Sequence, residues 1–313
     1  MNRDETIGVI GLGNMGSAMA RSLLAAGYAV VGYDVRAEPQ REFEELGGQG
    51  AGSPGAVLDL ADRVILSLPS AAALDAVLQG PDGILDGSAE RPRGAVIVET
   101  STLALEDKAR AHTLVEQAGM TLLDSPISGT GAQALARDIV FFASGPEPAY
   151  RRFEAVLLAM GREAPWLGEF GMGTKAKFLS NLMVSIHTMA AAEALNLAVQ
   201  VGFEADHALS LLSAGASASR MLSIRGRMMA DDDFPGTSST LRVLSKDVEL
   251  IRQFANSVDV PTPLLSVVSD HFTAARAQGL SDADPAAVVR VLAMLSPSLE
   301  EAGPARQAKG EDR

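Results

Sequence analysis

The chain reads as an α/β protein in which a doubly wound parallel sheet is followed by an all-helical domain, the two joined by one long helix. Three observations predict this. Short apolar runs alternate with amphipathic stretches through the first half. Those runs are apolar on both faces rather than alternating, as parallel strands covered on both faces require. From about residue 165 the strand-like runs stop, and continuous helical patterns take over.

The strand candidates, in order, are IGVI (7–10), AVVGYD (29–34), VILSL (64–68), AVIVE (95–99), MTLLDS (120–125) and DIVFFAS (138–144). Between them lie SAMARSLLAAG, EPQREFEELGG, LEDKARAHTLVEQAG and EPAYRRFEAVLLAMG, each with the spacing of an amphipathic helix. Residues 173–201 contain no proline and are rich in Ala, Leu and Met, which predicts the joining helix. Further helices are expected at about 204–214, 219–229, 240–258 and 261–279. The domain boundaries follow: 1–167 for the sheet domain, 168–296 for the helical domain, and 297–313 for a polar, disordered tail.

Composition narrows the function. The chain has 313 residues and 47% hydrophobic content, enough for two packed cores. Its 26 Lys and Arg against 39 Asp and Glu give a formal net charge of -13, which opposes binding to nucleic acid or anionic lipid. No uninterrupted run of 18 apolar residues and no basic, apolar leader are present, so a cytoplasmic protein without a membrane partner is expected. There is no cysteine, which removes disulfides, thiolate metal sites and a Cys nucleophile. His112, His187, His207 and His271 lack metal-ligand spacing, and no metal site is expected.

The most informative stretch is Gly11-Leu12-Gly13-Asn14-Met15-Gly16, a G-x-G-x-x-G turn between a strand and a helix. A second strand then ends in Asp34, 18 residues beyond Gly16. This is the arrangement of a Rossmann-type dinucleotide site: Gly11 for the tight turn, Gly13 for approach of a pyrophosphate, Gly16 for helix-strand packing. Backbone N-H groups and the positive helix end hold the phosphates. Asp34 would accept hydrogen bonds from the adenosine ribose and repel a 2'-phosphate, which favours NAD, while Arg36 nearby keeps NADP open.

A second constellation lies on the long helix. Gly173, Lys177 and Asn181 fall at i, i+4, i+8 and share a helix face, with Lys175 pointing elsewhere. Glycine at 173 is expected to clear space for a ligand, Lys177 to move a proton, and Asn181 to orient a hydroxyl or carboxylate. Ser128, Gly129 and Thr130 offer hydroxyls and N-H groups for a small carboxylate. Phe178 and Phe234 read as core residues before pocket walls.

Three segments, together with the glycine loop, resemble the beta-hydroxyacid dehydrogenase family, of the 3-hydroxyisobutyrate dehydrogenase kind. DSPISGTGAQALARD (124–138) is similar to its substrate-binding signature, GMGTKAKFLSN (171–181) to its catalytic signature, and SKDVELIRQFANSVDVPTPLL (245–265) to its lysine-aspartate segment. The resemblance runs in family order from about residue 6 to 295 and implies an NAD-dependent oxidoreductase. Its substrate would be a small 3-hydroxy acid or the matching semialdehyde. Lys177 would be the general acid/base, and Ser128, Gly129, Thr130 and Asn181 would hold the substrate. Leu68, Pro69, Thr102 and Lys246 would join Gly11 to Gly16 and Asp34 around the cofactor. A helical domain like that of 6-phosphogluconate dehydrogenase and a homodimer or homotetramer are also implied.

The sequence departs from the common family form at Thr130, at Arg137-Asp138 and at Ser180. Thr130 adds a hydroxyl where a glycine is usual, which tilts the expected substrate towards a polyhydroxylated acid. The alternatives are an imine or semialdehyde reductase on the same fold, and a non-catalytic NAD(P)-binding regulator. Retention of Lys177 argues against the imine branch, and retention of Ser128, Lys177 and Asn181 together argues against the regulator.

Overall fold

The computed structural model describes residues 6–86, 94–236 and 239–296; the expected tail at 297–313 lies outside the described residues. The chain divides into two compact units, Met1–Ser180 and Asn181–Arg313.

In the first unit, strands β1 (Thr6–Ile10), β2 (Ala29–Tyr33), β3 (Gln49–Gly50), β4 (Arg63–Leu66), β5 (Val96–Glu99) and β6 (Thr121–Asp124) form one sheet in the order β3-β2-β1-β4-β5-β6. Every pairing is parallel. Alternate strand residues feed two different cores. Ile7, Val9, Val30, Ile65, Val96, Val98 and Leu123 face one side, where Phe153, Leu157 and Met160 pack. Ile10, Val31, Val64, Leu66, Ile97 and Leu122 face the other, against Val57, Leu58, Leu74 and Val115. The apolar residues on both faces of these strands are thus explained: both pleat faces are buried, each large apolar side chain contributing about 1.5–3 kcal/mol.

The helices of this unit are α1 (Asn14–Ala25), α2 (Ala37–Glu45), α3 (Pro54–Leu60), α4 (Ala71–Gln79), α5 (Leu105–Gln117), α6 (Gly131–Leu135) and α7 (Glu147–Met160). The strand order reverses direction between β1 and β4, and the crevice at their C-terminal ends is the expected ligand position of such a sheet.

Two strand expectations need correction. DIVFFAS does not extend the parallel sheet; its Val140–Phe141 (β8) pairs antiparallel with Ile127–Ser128 (β7) in a separate two-stranded sheet. The intervening α6 has only five residues, too short to carry the chain across a sheet face and back in parallel. The edge strand β3, two residues of Gln and Gly, carries no apolar signal and was not anticipated.

Helix α8 (Met172–Gln200) begins in the first unit and continues into the second. By length and composition it could cross a membrane, but Thr174, Lys177, Asn181, Ser185 and Thr188 along it are buried, which is the pattern of a core helix. The second unit continues with α9 (Ala205–Ala214), α10 (Arg220–Asp231), α11 (Leu241–Ser257), α12 (Pro263–Ala277) and α13 (Val288–Leu295), with no strand among its described residues. Within it Arg225 and Asp284 form a buried pair at 2.8 Å.

Candidate active site

The glycine loop sits at the C-terminal end of β1. Gly11 has φ +90, and a Cβ there would run into the Ser67 carbonyl oxygen. A Cβ at Gly16 would strike the Gly11 carbonyl oxygen. Both glycines are therefore required by the chain itself. Gly13 is different: its φ is -70, and a Cβ would meet nothing nearer than Arg36 Nη2 at 3.7 Å. No packing inside the chain demands glycine there. Gly13 is also the N-cap of α1, which has no side-chain cap and no acid in its first turn. A helix start with uncapped N-H groups and a side-chain-free approach fits a pyrophosphate.

Asp34 closes this loop from the end of β2. Its Oδ2 accepts the Leu12 N-H at 2.8 Å, and its Oδ1 accepts the Arg36 N-H at 2.9 Å and Arg36 Nε at 3.1 Å. Burial pushes the Asp34 carboxyl up, but the hydrogen bonds from Arg36 and Leu12 outweigh it and leave the pKa below the ordinary value. The carboxylate is thus charged and fixed; Arg36 Nη2 also reaches Oδ2 at 3.4 Å, so a ribose hydroxyl would bind by displacing an Arg36 contact. Arg36 folds onto Asp34 rather than standing apart from it.

The remaining loops at this edge of the sheet are tied together. Leu68 N-H donates to Ser101 Oγ at 2.8 Å, Ser101 N-H to Glu99 Oε1 at 2.8 Å, and Thr100 Oγ1 to the Leu66 carbonyl at 2.7 Å. Leu68 and Thr102 are half-buried and Pro69 is exposed. Leu68, Pro69 and Thr102 thus lie in the loops following β4 and β5, at the same edge as Gly11–Gly16.

Lys177 is 8% exposed on α8. Ser128 Oγ lies 3.5 Å from Ser180 Oγ, so Ser128 stands against α8 one turn beyond Lys177. Gly129 has φ +143, and a Cβ would meet Ile139 Cγ2 at 2.5 Å, which accounts for glycine at that place. Thr130 has a local structural role. Its N-H donates to Gln133 Oε1 at 3.0 Å and its Oγ1 accepts the Gln133 N-H at 3.3 Å, forming a capping box for α6. The added hydroxyl serves local helix capping and keeps its own O-H proton to donate.

Gly173 is a correction. A Cβ there would run into the Phe142 carbonyl oxygen and lie 2.7 Å from the Asp124 carbonyl oxygen. The missing side chain lets α8 pack against the sheet; it does not clear space for a ligand. Asn181 and Lys246 belong to the second unit. There the Asn181 amide donates to Asp247 Oδ2 at 2.8 Å, and Lys246 Nζ is 3.1 Å from Asp247 Oδ1. Phe178 is buried, and Phe234 packs under the Arg290 guanidinium, 4.8 Å from its ring centre.

Sequence reasoning missed a fully buried charge cluster at the same edge. Lys108 Nζ lies 2.6 Å from Glu99 Oε2 and 2.8 Å from Asp124 Oδ1. Burial works against the ammonium, but Asp124 and Glu99 outweigh it and raise the Lys108 pKa above its ordinary value. The signal was present: two of the apolar strands end in an acid, Glu99 and Asp124, in register with each other.

A parallel sheet with an open glycine turn at its switch point and an acid closing that turn define a dinucleotide-binding domain. Family comparison agrees. Residues 6–168 match the model for the NAD binding domain of 6-phosphogluconate dehydrogenase, and residues 171–292 match that for the NAD-binding domain of NADP-dependent 3-hydroxyisobutyrate dehydrogenase. The chain belongs to the beta-hydroxyacid dehydrogenase family and is an NAD(P)-dependent oxidoreductase acting on CH-OH groups. It is 32% identical to an L-threonate dehydrogenase of Cupriavidus necator over 288 residues, 92% of this chain and 96% of that one. It is 29% identical to the mitochondrial 3-hydroxyisobutyrate dehydrogenase of Homo sapiens over 294 residues, covering 91% of this chain and 86% of the relative. Among solved structures, a 3-hydroxyisobutyrate dehydrogenase from Salmonella typhimurium superposes with a TM-score of 0.81 at 28% identity, covering 91% of this chain and 99% of that one.

Proposed function

We propose that the protein transfers a hydride between NAD and a small 3-hydroxy acid or the corresponding semialdehyde or keto acid, with Lys177 as general acid/base. The observation that carries the reading is Lys177 itself: a lysine 8% exposed, on the helix against which Ser128 stands. A lysine placed so would be an unusual surface residue and is a natural proton carrier.

When bound, the nicotinamide supplies the hydride chemistry. Lys177 Nζ, as the free amine, takes the hydroxyl proton as the carbinol is oxidised, and as the ammonium returns it in reduction. Ser128 and the Gly129 backbone hold the acid group, so that the carbinol rather than the carboxylate faces Lys177. Asn181 and Lys246 enter as substrate and cofactor contacts through the family resemblance. Gly13 and the start of α1 receive the pyrophosphate, and Asp34 accepts from the adenosine ribose. Fixed as a carboxylate, Asp34 favours NAD over NADP. The acids named for the relatives, 3-hydroxyisobutyrate and L-threonate, are the first substrates to try.

Initial rates with NAD+ and NADP+ on 3-hydroxyisobutyrate, glycerate, 4-hydroxybutyrate and L-threonate test this, with Lys177→Ala as the comparison. The expected result is turnover of at least one acid with NAD+, lowered by about 10²–10⁴-fold in the variant. Cofactor binding without turnover of any hydroxy acid would overturn it.

A further inference from the structure

The Lys108 cluster does more than satisfy three buried charges, because each of its carboxylates reaches on to a different part of the site. Asp124 accepts the Thr174 N-H at 2.7 Å through Oδ2 and the Thr174 hydroxyl at 2.8 Å through Oδ1. It thereby caps the first turn of α8, where helix N-H groups and the helix dipole favour a negative charge. Ser144 Oγ accepts the neighbouring Gly173 N-H at 2.9 Å and donates to the Asp124 carbonyl at 3.2 Å. Lys177 lies three residues beyond Thr174. On the other side, Glu99 accepts the Ser101 N-H, and Ser101 accepts the N-H of Leu68. One chain of charged and neutral hydrogen bonds therefore runs from the turn before Lys177, through Lys108, to the loop assigned to the cofactor.

Two carboxylates in register at adjacent strand ends would repel each other in a dry interior. Lys108 holds both, and removing it leaves an unbalanced charge where water cannot reach. We propose that Lys108 is a positioning residue for the reaction, fixing the start of α8 through Asp124 and the Leu68 loop through Glu99 and Ser101. The proposal rests on the assignment of Lys177 as the acid/base.

The test uses the full chain and separates the two arms. Thr174→Val removes one donor to Asp124 while keeping shape; it lowers kcat by about tenfold, the worth of one charge-assisted hydrogen bond, and displaces the limb of the pH profile of kcat/KM that Lys177→Ala abolishes. Thr174→Ser restores both. The NADH Kd, read by cofactor fluorescence without turnover, stays within about twofold in Thr174→Val and rises several-fold in Ser101→Ala. Lys108→Met, where it folds, shows both defects together. Should it not fold, the Thr174 and Ser101 variants decide. Wild-type kcat and pH profile in Thr174→Val, or an unchanged NADH Kd in Ser101→Ala, would overturn the proposal. Full turnover in Lys177→Ala would instead remove the acid/base assignment, and the Ser101 effect on Kd would still be read independently.

Discussion

The starts of α1 and α8 are built from similar parts and put to opposite uses. Each helix opens beside the C-terminal end of a parallel strand, and each has a glycine in or just before its first turn. At α1 the glycine, Gly13, has only the Arg36 guanidinium within van der Waals reach of a Cβ, and the N-H groups have no side-chain cap. At α8 the glycine, Gly173, is pressed against two carbonyl oxygens, and the N-H groups are held by Ser144 and Asp124. A helix start left uncapped by the chain is available to an anion; one capped by a buried carboxylate anchors the side chains that follow it. The same residue type leaves one helix start open and locks the other in place.

The largest effect that sharpens this contrast is at Gly173. Gly173→Ala drives a methyl into the Phe142 carbonyl, and the fold should lose about 3 kcal/mol or more, seen as an early thermal transition. Thr130→Ala removes the oxygen that caps α6; stability falls by about 1 kcal/mol, measured by urea denaturation. The smallest effect is pH-dependent. The folded pKa of Asp34 is depressed, so its contribution is complete above the unfolded value of about 3.9 and is lost as pH falls through the lower folded value. The stability gap between wild type and Asp34→Asn, followed by chemical denaturation, should therefore narrow as pH drops below about 3.9.

The difference between the two helix starts also marks what could be read from the sequence. Gly11, Gly13 and Gly16 were legible because their spacing, between a strand and a helix and ahead of Asp34, is set by local geometry. Helix α8 was legible for the same reason, its bounds at Met172–Gln200 lying within one residue of the pattern. Gly173 was misread because what fills its space, the Phe142 and Asp124 carbonyls, comes from segments 31 and 49 residues earlier in the chain. Lys108 was missed because a lysine on an amphipathic helix normally faces water, and only the pairing of β5 with β6 shows two carboxylates waiting for it. DIVFFAS has the composition of a parallel strand; the shortness of α6 is what denies it that place.

The most direct measurement is the NADH affinity of Gly13→Ala, taken beside its thermal transition. Alanine is allowed at φ -70 and meets no neighbour within 3.7 Å, so Tm should hold to within about 4 °C. The methyl occupies the approach to the α1 terminus, and Kd should rise at least about tenfold, some 1.4 kcal/mol. An NADH Kd equal to that of the wild type would contradict the placement of the pyrophosphate at the start of α1, and with it the cofactor site built around Gly13 and Asp34.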